Sequence, residues 1–323
     1  MDLLIQNLTS PMILAFALGV VARLVKSDLA FPDGISSMLS IFLLFAIGLK
    51  GGAALQGVAF SDIIGPALAT ILLGAAIPLW CYPVLTRVLK FSSVDAAAIA
   101  AHYGSTSAVT FLAGIAFLEA AKSPAEGFMP GLVALMEVPG IVVALLLAKP
   151  PGGQRPALGP AVAHLLASKS MVLLLGGLFI GALADPKGMK SISAFFVDPF
   201  RGVLCLFLLE LGMVAASRLG ELRGQMLGLL VFGIAAPLVH GALGVLAGHT
   251  IGLSVGGATI LGVLAASASY IAAPATVRIS LPQANPTPAI AAALGITFPL
   301  NLTIGLPLYF GLAQRLAGAA VSS

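Results

Sequence analysis

Charge is what this chain has least of. Only 9% of its 323 residues are Asp, Glu, Lys or Arg, against about 25% in an ordinary soluble domain, so most of its surface is built to face lipid rather than water. Cysteine is nearly absent. Cys81 and Cys205 each sit inside an apolar run, which leaves no disulfide framework and reads as two small core residues. Gly-rich phosphate loops, paired metal-ligand motifs and Ser/His/Asp arrangements at usable depth are missing as well, so an enzymatic reading has no residues to rest on. Met1 to Ser10 contain no basic n-region, and the first apolar span is therefore expected to be retained rather than cleaved.

What is present is apolar: 59% hydrophobic residues and a mean hydropathy of +1.09. Apolar stretches of roughly 20 residues recur from end to end, the length a helix needs to cross a bilayer. The expected fold is an all-α membrane protein with ten transmembrane helices, at 9–26, 35–57, 62–89, 93–121, 126–148, 170–185, 195–217, 225–249, 254–281 and 287–318. The formal charge of +4 is spread thinly over the loops, which speaks for orientation in a membrane and against a nucleic-acid partner.

The chain also repeats itself. Pro78 in Gly-Ala-Ala-Ile-Pro-Leu matches Pro237 in Gly-Ile-Ala-Ala-Pro-Leu; Ser93-Val94 opens span four as Ser254-Val255 opens span nine; Pro139 matches Pro299 and Thr106 matches Ser267. The spacings are 159, 161, 160 and 161 residues, and four matches in order at nearly one spacing indicate duplication. The longest connection, with Pro150-Pro151-Gly152-Gly153, divides a first five-helix repeat (1–150) from a linker (151–169) and a second repeat (170–323). Five spans is an odd number, so the halves enter from opposite sides, giving a 5+5 inverted-topology repeat of the kind secondary transporters use. Ten loop Lys and Arg residues, among them Arg23, Arg87, Lys149, Arg155, Arg223 and Arg278, lie on the linker's side against six on the other. The richer side is expected to be cytoplasmic, which puts the linker inside and both termini outside the cell inner membrane.

Two spans are broken midway by small hydroxyl residues. Gly104-Ser105-Thr106-Ser107 interrupts span four, and Ser267-Ala268-Ser269 interrupts span nine with Pro274 beyond it. Glycine tolerates the backbone angles that stop a helix, and Ser or Thr caps the helix that restarts. A restarted half-helix aims free N–H groups and partial positive charge at the membrane centre, where an anion is the natural occupant. The competing reading is close helix packing with hydroxyls bonded back to the preceding turn. Recurrence in repeat register favours a substrate site at Gly104, Ser105, Thr106, Ser107, Ser267, Ala268 and Ser269.

Glu137, just ahead of Pro139, is costly at membrane depth unless it is paired or holds a cation. Its repeat mate is Thr297, with Asn301 beyond Pro299. Oxygen ligands beside a prolyl break suit Na⁺, so Glu137, Thr297 and Asn301 are the candidate sodium ligands; a protonatable Glu137 equally suits H⁺ coupling. Glu210 lies in an unbroken span and reads as structural. His102 and His240 read as bonded bundle residues, and Arg278 as an interface marker.

These residues resemble the sodium-dependent bicarbonate transporter family, the SbtA-type permeases. The signatures are Asp198-Pro199-Phe200-Arg201-Gly202, Ser217-Arg218-Leu219-Gly220-Glu221-Leu222-Arg223, Ala236-Pro237-Leu238-Val239-His240-Gly241, Ala284-Asn285-Pro286 and Gly311-Leu312-Ala313-Gln314, together with Gly104-Ser105-Thr106 and Met136-Glu137-Val138-Pro139 in the first half. The resemblance implies a symporter that takes up bicarbonate with Na⁺ as coupling ion, as a homotrimer, by moving a core that holds both broken helices against a gate. Where that family has an acidic residue in its second break, this chain has Tyr270. Its linker is also short, which speaks against regulation by a PII-like partner. Two alternatives remain: a carrier of an organic anion similar to the bile-acid/sodium symporters, and a membrane receptor or channel that does not carry substrate.

Overall fold

In hydrocarbon a backbone can satisfy its own N–H and C=O groups only as helix or as a closed barrel. This chain takes the first course throughout. The computed structural model describes residues 2–153, 156–219 and 226–321, and every regular element among them is helical. Arg155, Arg223 and the Gly220-Glu221-Leu222 part of the second signature lie outside the described residues.

The helices are α1 (Asp2–Leu8), α2 (Pro11–Leu24), α3 (Asp33–Ala54), α4 (Phe60–Pro83), α5 (Ser93–Gly104), α6 (Ala108–Ala120), α7 (Met129–Leu147), α8 (Leu158–Leu166), α9 (Lys169–Leu183), α10 (Pro186–Phe196), α11 (Phe200–Leu219), α12 (Met226–Thr250), α13 (Val255–Ala266) and α14 (Ala272–Ser280). The last, α15, runs over 286–321 and widens into π-helical turns at Ala291–Thr297 and Asn301–Gly305. These turns flank Pro299, whose missing N–H and bulky ring disturb the regular ladder. A similar turn, Val84–Val88, follows Pro83 at the end of α4.

Among the described residues, six helices are long and apolar enough to cross a membrane: α3, α4, α7, α11, α12 and α15. A seventh candidate is the pair α8 and α9, bent by 47° at their junction. The other three expected spans have a different form. Span one is α2, whose 14 residues reach about 21 Å at 1.5 Å per residue, short of a hydrocarbon core of about 30 Å. Spans four and nine are each two helices, α5 with α6 and α13 with α14.

Two helices stand where loop was expected. Part of the 151–169 linker folds as α8, which buries Ala161 and Leu165 on one face. Pro160 hides this helix in the sequence, yet in the first turn its missing N–H leaves no bond unmade. Between spans six and seven, α10 starts at Asp185, whose carboxylate accepts from the N–H groups of Lys187 and Gly188 at 2.9 Å. None of its described residues is buried.

The helices pack in two groups. In the first, α3 lies along α9, α2 lies along α11, and α3 touches α11. The second joins α4, α5 and α7 to α12, α13 and α15, and the two groups meet where α11 packs on α15 and α7 on α9. Close approach in the first group depends on glycine: a Cβ at Gly52 would fall on the Leu178 carbonyl and one at Gly181 on the Leu49 carbonyl. Across the other pair, Gly212 meets the Phe16 carbonyl and Gly19 that of Leu209. Gly52 and Gly212 are 160 residues apart, as are Leu49 and Leu209, so the packing of α3 on α9 mirrors that of α11 on α2. Ser92 and Ser254 likewise cap α5 and α13 in the same way, accepting from Asp95 N at 3.1 Å and Gly257 N at 3.0 Å.

Candidate functional site

Helix α5 stops at Gly104 because two neighbours press against it. A Cβ at Gly140 of α7 would fall on the Gly104 carbonyl, and one at Gly104 would meet the Pro78 ring. The backbone then runs extended at Ser105. Helix α6 restarts after Ser107, whose Oγ accepts from Thr110 N at 3.2 Å. In the second half α13 stops at Ala266, where Asn301 Nδ2 donates to the freed carbonyl at 2.8 Å. Residues 267–271 follow, and Ser269 Oγ accepts from Ala273 N at 3.2 Å in the first turn of α14.

The two breaks touch. Thr106 Oγ1 and Ser267 Oγ share a hydrogen bond of 2.8 Å, Ser107 N donates to Ser267 Oγ at 2.9 Å, and Ser269 N donates to the His102 carbonyl at 2.8 Å. Ser267 Oγ also lies 2.9 Å from the Leu264 carbonyl. All of these hydroxyls are buried. Segments separated by about 160 residues are thus laced into one structure.

Beside this crossing lies a cavity of about 20 Å³, room for a single water molecule. Thr106, Ser107, Ser269 and Tyr270 line it together with Glu137 and Ser170. The first residues of both restarted helices face it too: Ala108 and Val109 of α6, and Ala272 of α14. The N-terminal ends of two helices therefore border one small space, and a helix N-terminus favours negative charge. Glu137 is only 4% exposed and accepts from Ser170 Oγ at 3.3 Å. Lys169, which is exposed, stands at the same cavity.

The remaining expected site residues have other positions. Gly104 and Ala268 are buried but do not line the cavity, and Ser105 Oγ is buried without a hydrogen-bond partner. Ser267 sits behind the lining and ties the breaks together. Thr297 and Asn301 do not line the cavity with Glu137. Thr297 Oγ1 donates to the Gly233 carbonyl and accepts from Tyr103 Oη, both at 2.8 Å. Asn301 Oδ1 accepts from Tyr309 Oη at 3.0 Å. Among the described residues, no three His, Cys, Asp or Glu side chains cluster as a metal site, so a cation here would draw on hydroxyls, carbonyls and the one carboxylate. His102 Nδ1 is 2.7 Å from the Ala98 carbonyl, and His240 lies 3.8 Å from Cys81 Sγ and edge-on to Trp80. Glu210 pairs with Ser36 on α3.

Sequence reasoning missed Ser170 as a lining residue and marked Tyr270 as the departure from the resembled family in the second break, without counting it among the substrate-site residues. Ser170 comes from the start of α9, outside both broken spans, and nothing local to it signals a site. Tyr270 adjoins the second hydroxyl cluster, and its position in a break was the available signal.

A family model described as the Na⁺-dependent bicarbonate transporter superfamily matches residues 11–314. No curated protein matches the chain.

Proposed function

Because the chain belongs to the Na⁺-dependent bicarbonate transporter superfamily, we propose that it imports bicarbonate together with Na⁺ through the crossing of its two helix breaks. It is a multi-pass membrane transporter and not an enzyme. In the proposed arrangement α5 with α6 and α13 with α14 are broken spans of a ten-span, 5+5 inverted repeat, and both termini lie outside the cytoplasm. The mirrored glycine contacts of α3 with α9 and of α11 with α2 support that plan.

One observation carries the reading: two restarted helices present their N-terminal ends to the same buried cavity, a pairing that favours a bound anion. The anion would be held by backbone N–H groups of both half-helices and by the hydroxyls of Thr106, Ser107 and Ser269. Ser105, Gly104, Ser267 and Ala268 would shape the backbone around it. Glu137 is the carboxylate that would attract Na⁺. Thr297 and Asn301, committed to Tyr103 and Tyr309, would join it only if those tyrosines turn away. A cavity of about 20 Å³ supports a small anion over the organic anions of bile-acid-type carriers. It also requires that loading open the space between the two helix groups.

Coupling would follow from linkage. If Na⁺ at Glu137 raises the affinity of the cavity for the anion, the anion raises the affinity for Na⁺ by the same factor. A homotrimer would provide the frame for that movement, while the short linker leaves little for a PII-like regulator to grip.

Labelled bicarbonate uptake into proteoliposomes, with and without a Na⁺ gradient and with internal pH clamped, tests the proposal. Saturable uptake that requires the gradient is expected. Gradient-independent conductance would point to a channel, and uptake of an organic carboxylate that outcompetes bicarbonate would point to the other carrier type.

A further inference from the structure

One residue lining the cavity, Tyr270, carries a hydroxyl that makes no hydrogen bond of normal geometry within the protein. Tyr270 lies in the second break, and its Oη is buried without a hydrogen-bond partner. It faces Ser107 but does not reach hydrogen-bond geometry with it. The ring is held independently of the hydroxyl, edge-on to Phe298 with centroids 5.5 Å apart. A buried polar atom left unpaired opposes folding, and in a native structure it calls for an explanation such as a missing ligand or water.

The neighbouring hydroxyls narrow the chemistry. Ser107 Oγ accepts from Thr110 N and Ser269 Oγ accepts from Ala273 N, so each has spent a lone pair and keeps its O–H proton. Tyr270 has its proton free as well, and all three residues line the one cavity. Three O–H donors beside two helix N-termini form a surface that wants acceptors. A halide would meet these donors with a single acceptor atom. A small oxyanion, with several acceptor oxygens around one atom, answers all of them.

Resting on the transport reading above, we propose that Tyr270 is a specificity-determining residue that donates its phenolic hydrogen bond to an oxygen of the bound oxyanion. Ser107 and Ser269 donate alongside it. A site built to hydrogen-bond its ligand discriminates strongly against ligands that cannot complete the bonds. Tyr270 would therefore set the choice of anion, while the helix ends supply sequence-independent attraction.

Tyr270→Phe removes the oxygen and keeps the ring against Phe298. Uptake of labelled bicarbonate by the variant and the unaltered protein would be compared in proteoliposomes across a range of bicarbonate and of Na⁺. The KM for bicarbonate is expected to rise about ten-fold to one hundred-fold, the loss of one hydrogen bond to a charged ligand. The Na⁺ concentration for half-maximal uptake, at saturating bicarbonate, should stay within about two-fold, since the phenol serves the anion. The melting temperature without bicarbonate should hold or rise, because the variant deletes an unpaired polar atom. A KM equal to that of the active unaltered protein would overturn the inference alone, as would a shift confined to Na⁺ or a lowered melting temperature that marks a structural hydroxyl. Absence of Na⁺-dependent bicarbonate uptake by the unaltered protein would overturn the transport reading and this inference with it.

Discussion

The first helix break and the second share a plan but are finished differently. Three residues separate α5 from α6, and Ser107 caps the restarted helix directly. Five residues separate α13 from α14, where Ile271 at the cap position offers no side-chain bond and Ser269 reaches in from two residues earlier. The far ends differ too. Helix α6 is tied to α3 by the Lys50–Glu119 ion pair and to α11 by Arg201, whose Nη2 donates to the Ala116 carbonyl at 3.0 Å. At the end of α14, Ser280 Oγ makes a 3.3 Å bond to the Ala157 carbonyl. The two helix starts thus border one cavity, yet one half-helix is firmly anchored while the other has more open backbone and a tyrosine among the lining residues.

The comparison can be broken most severely where the two breaks join. Ser267→Leu removes the bonds to Thr106 and Ser107 and forces a larger side chain into a filled space; bicarbonate uptake should fall below detection while membrane expression persists. Uptake near the normal rate would show that the crossing is not the site. Glu137→Gln keeps the volume and deletes the charge. Half-maximal uptake should then need about ten-fold more Na⁺ or worse, as loss of a charged ligand interaction implies; uptake that instead loses its dependence on a proton gradient would assign Glu137 to H⁺ coupling.

A smaller effect separates the two caps. Ser107→Ala should lower stability by about 1 kcal/mol, the usual worth of an N-cap side chain, and Ser269→Ala by less, because Ser269 is not at the cap position. Melting temperatures of the two variants side by side would expose the asymmetry, and equal losses would erase it. The smallest effect belongs to the tether. The Lys50 and Glu119 side chains are 49% and 31% exposed, and such a pair contributes about 0–1 kcal/mol. Glu119→Gln should therefore shift the melting temperature slightly at low salt and not at all at high salt.

Much of this was legible in the residues. Low charge and recurring apolar runs indicated a helical membrane protein, and that is the class the structure has. Helices end at Gly104 and at Ala266, beside the hydroxyl clusters. Other features left weaker traces. Helix α8 was concealed by Pro160 and its flanking Pro-Gly segment, since a proline in a first turn looks the same as one in a loop. The widening of α15 around Pro299 depends on how the ladder relaxes against its neighbours. Ser170 reaches Glu137 from 33 residues away, and no local pattern announces that contact.

By itself, then, the sequence determined the solvent this protein lives in, its helical class and the places where its helices stop, because each depends on local composition: apolar length, glycine, proline and capping hydroxyls. Tertiary structure alone decided what those stops are for. It laid Gly140 against the Gly104 carbonyl, bonded Thr106 to Ser267, and set Glu137 and Tyr270 beside the same cavity. Contacts of that kind come from chain segments far apart in sequence, where side-chain type says which bonds are available but only packing says which are made.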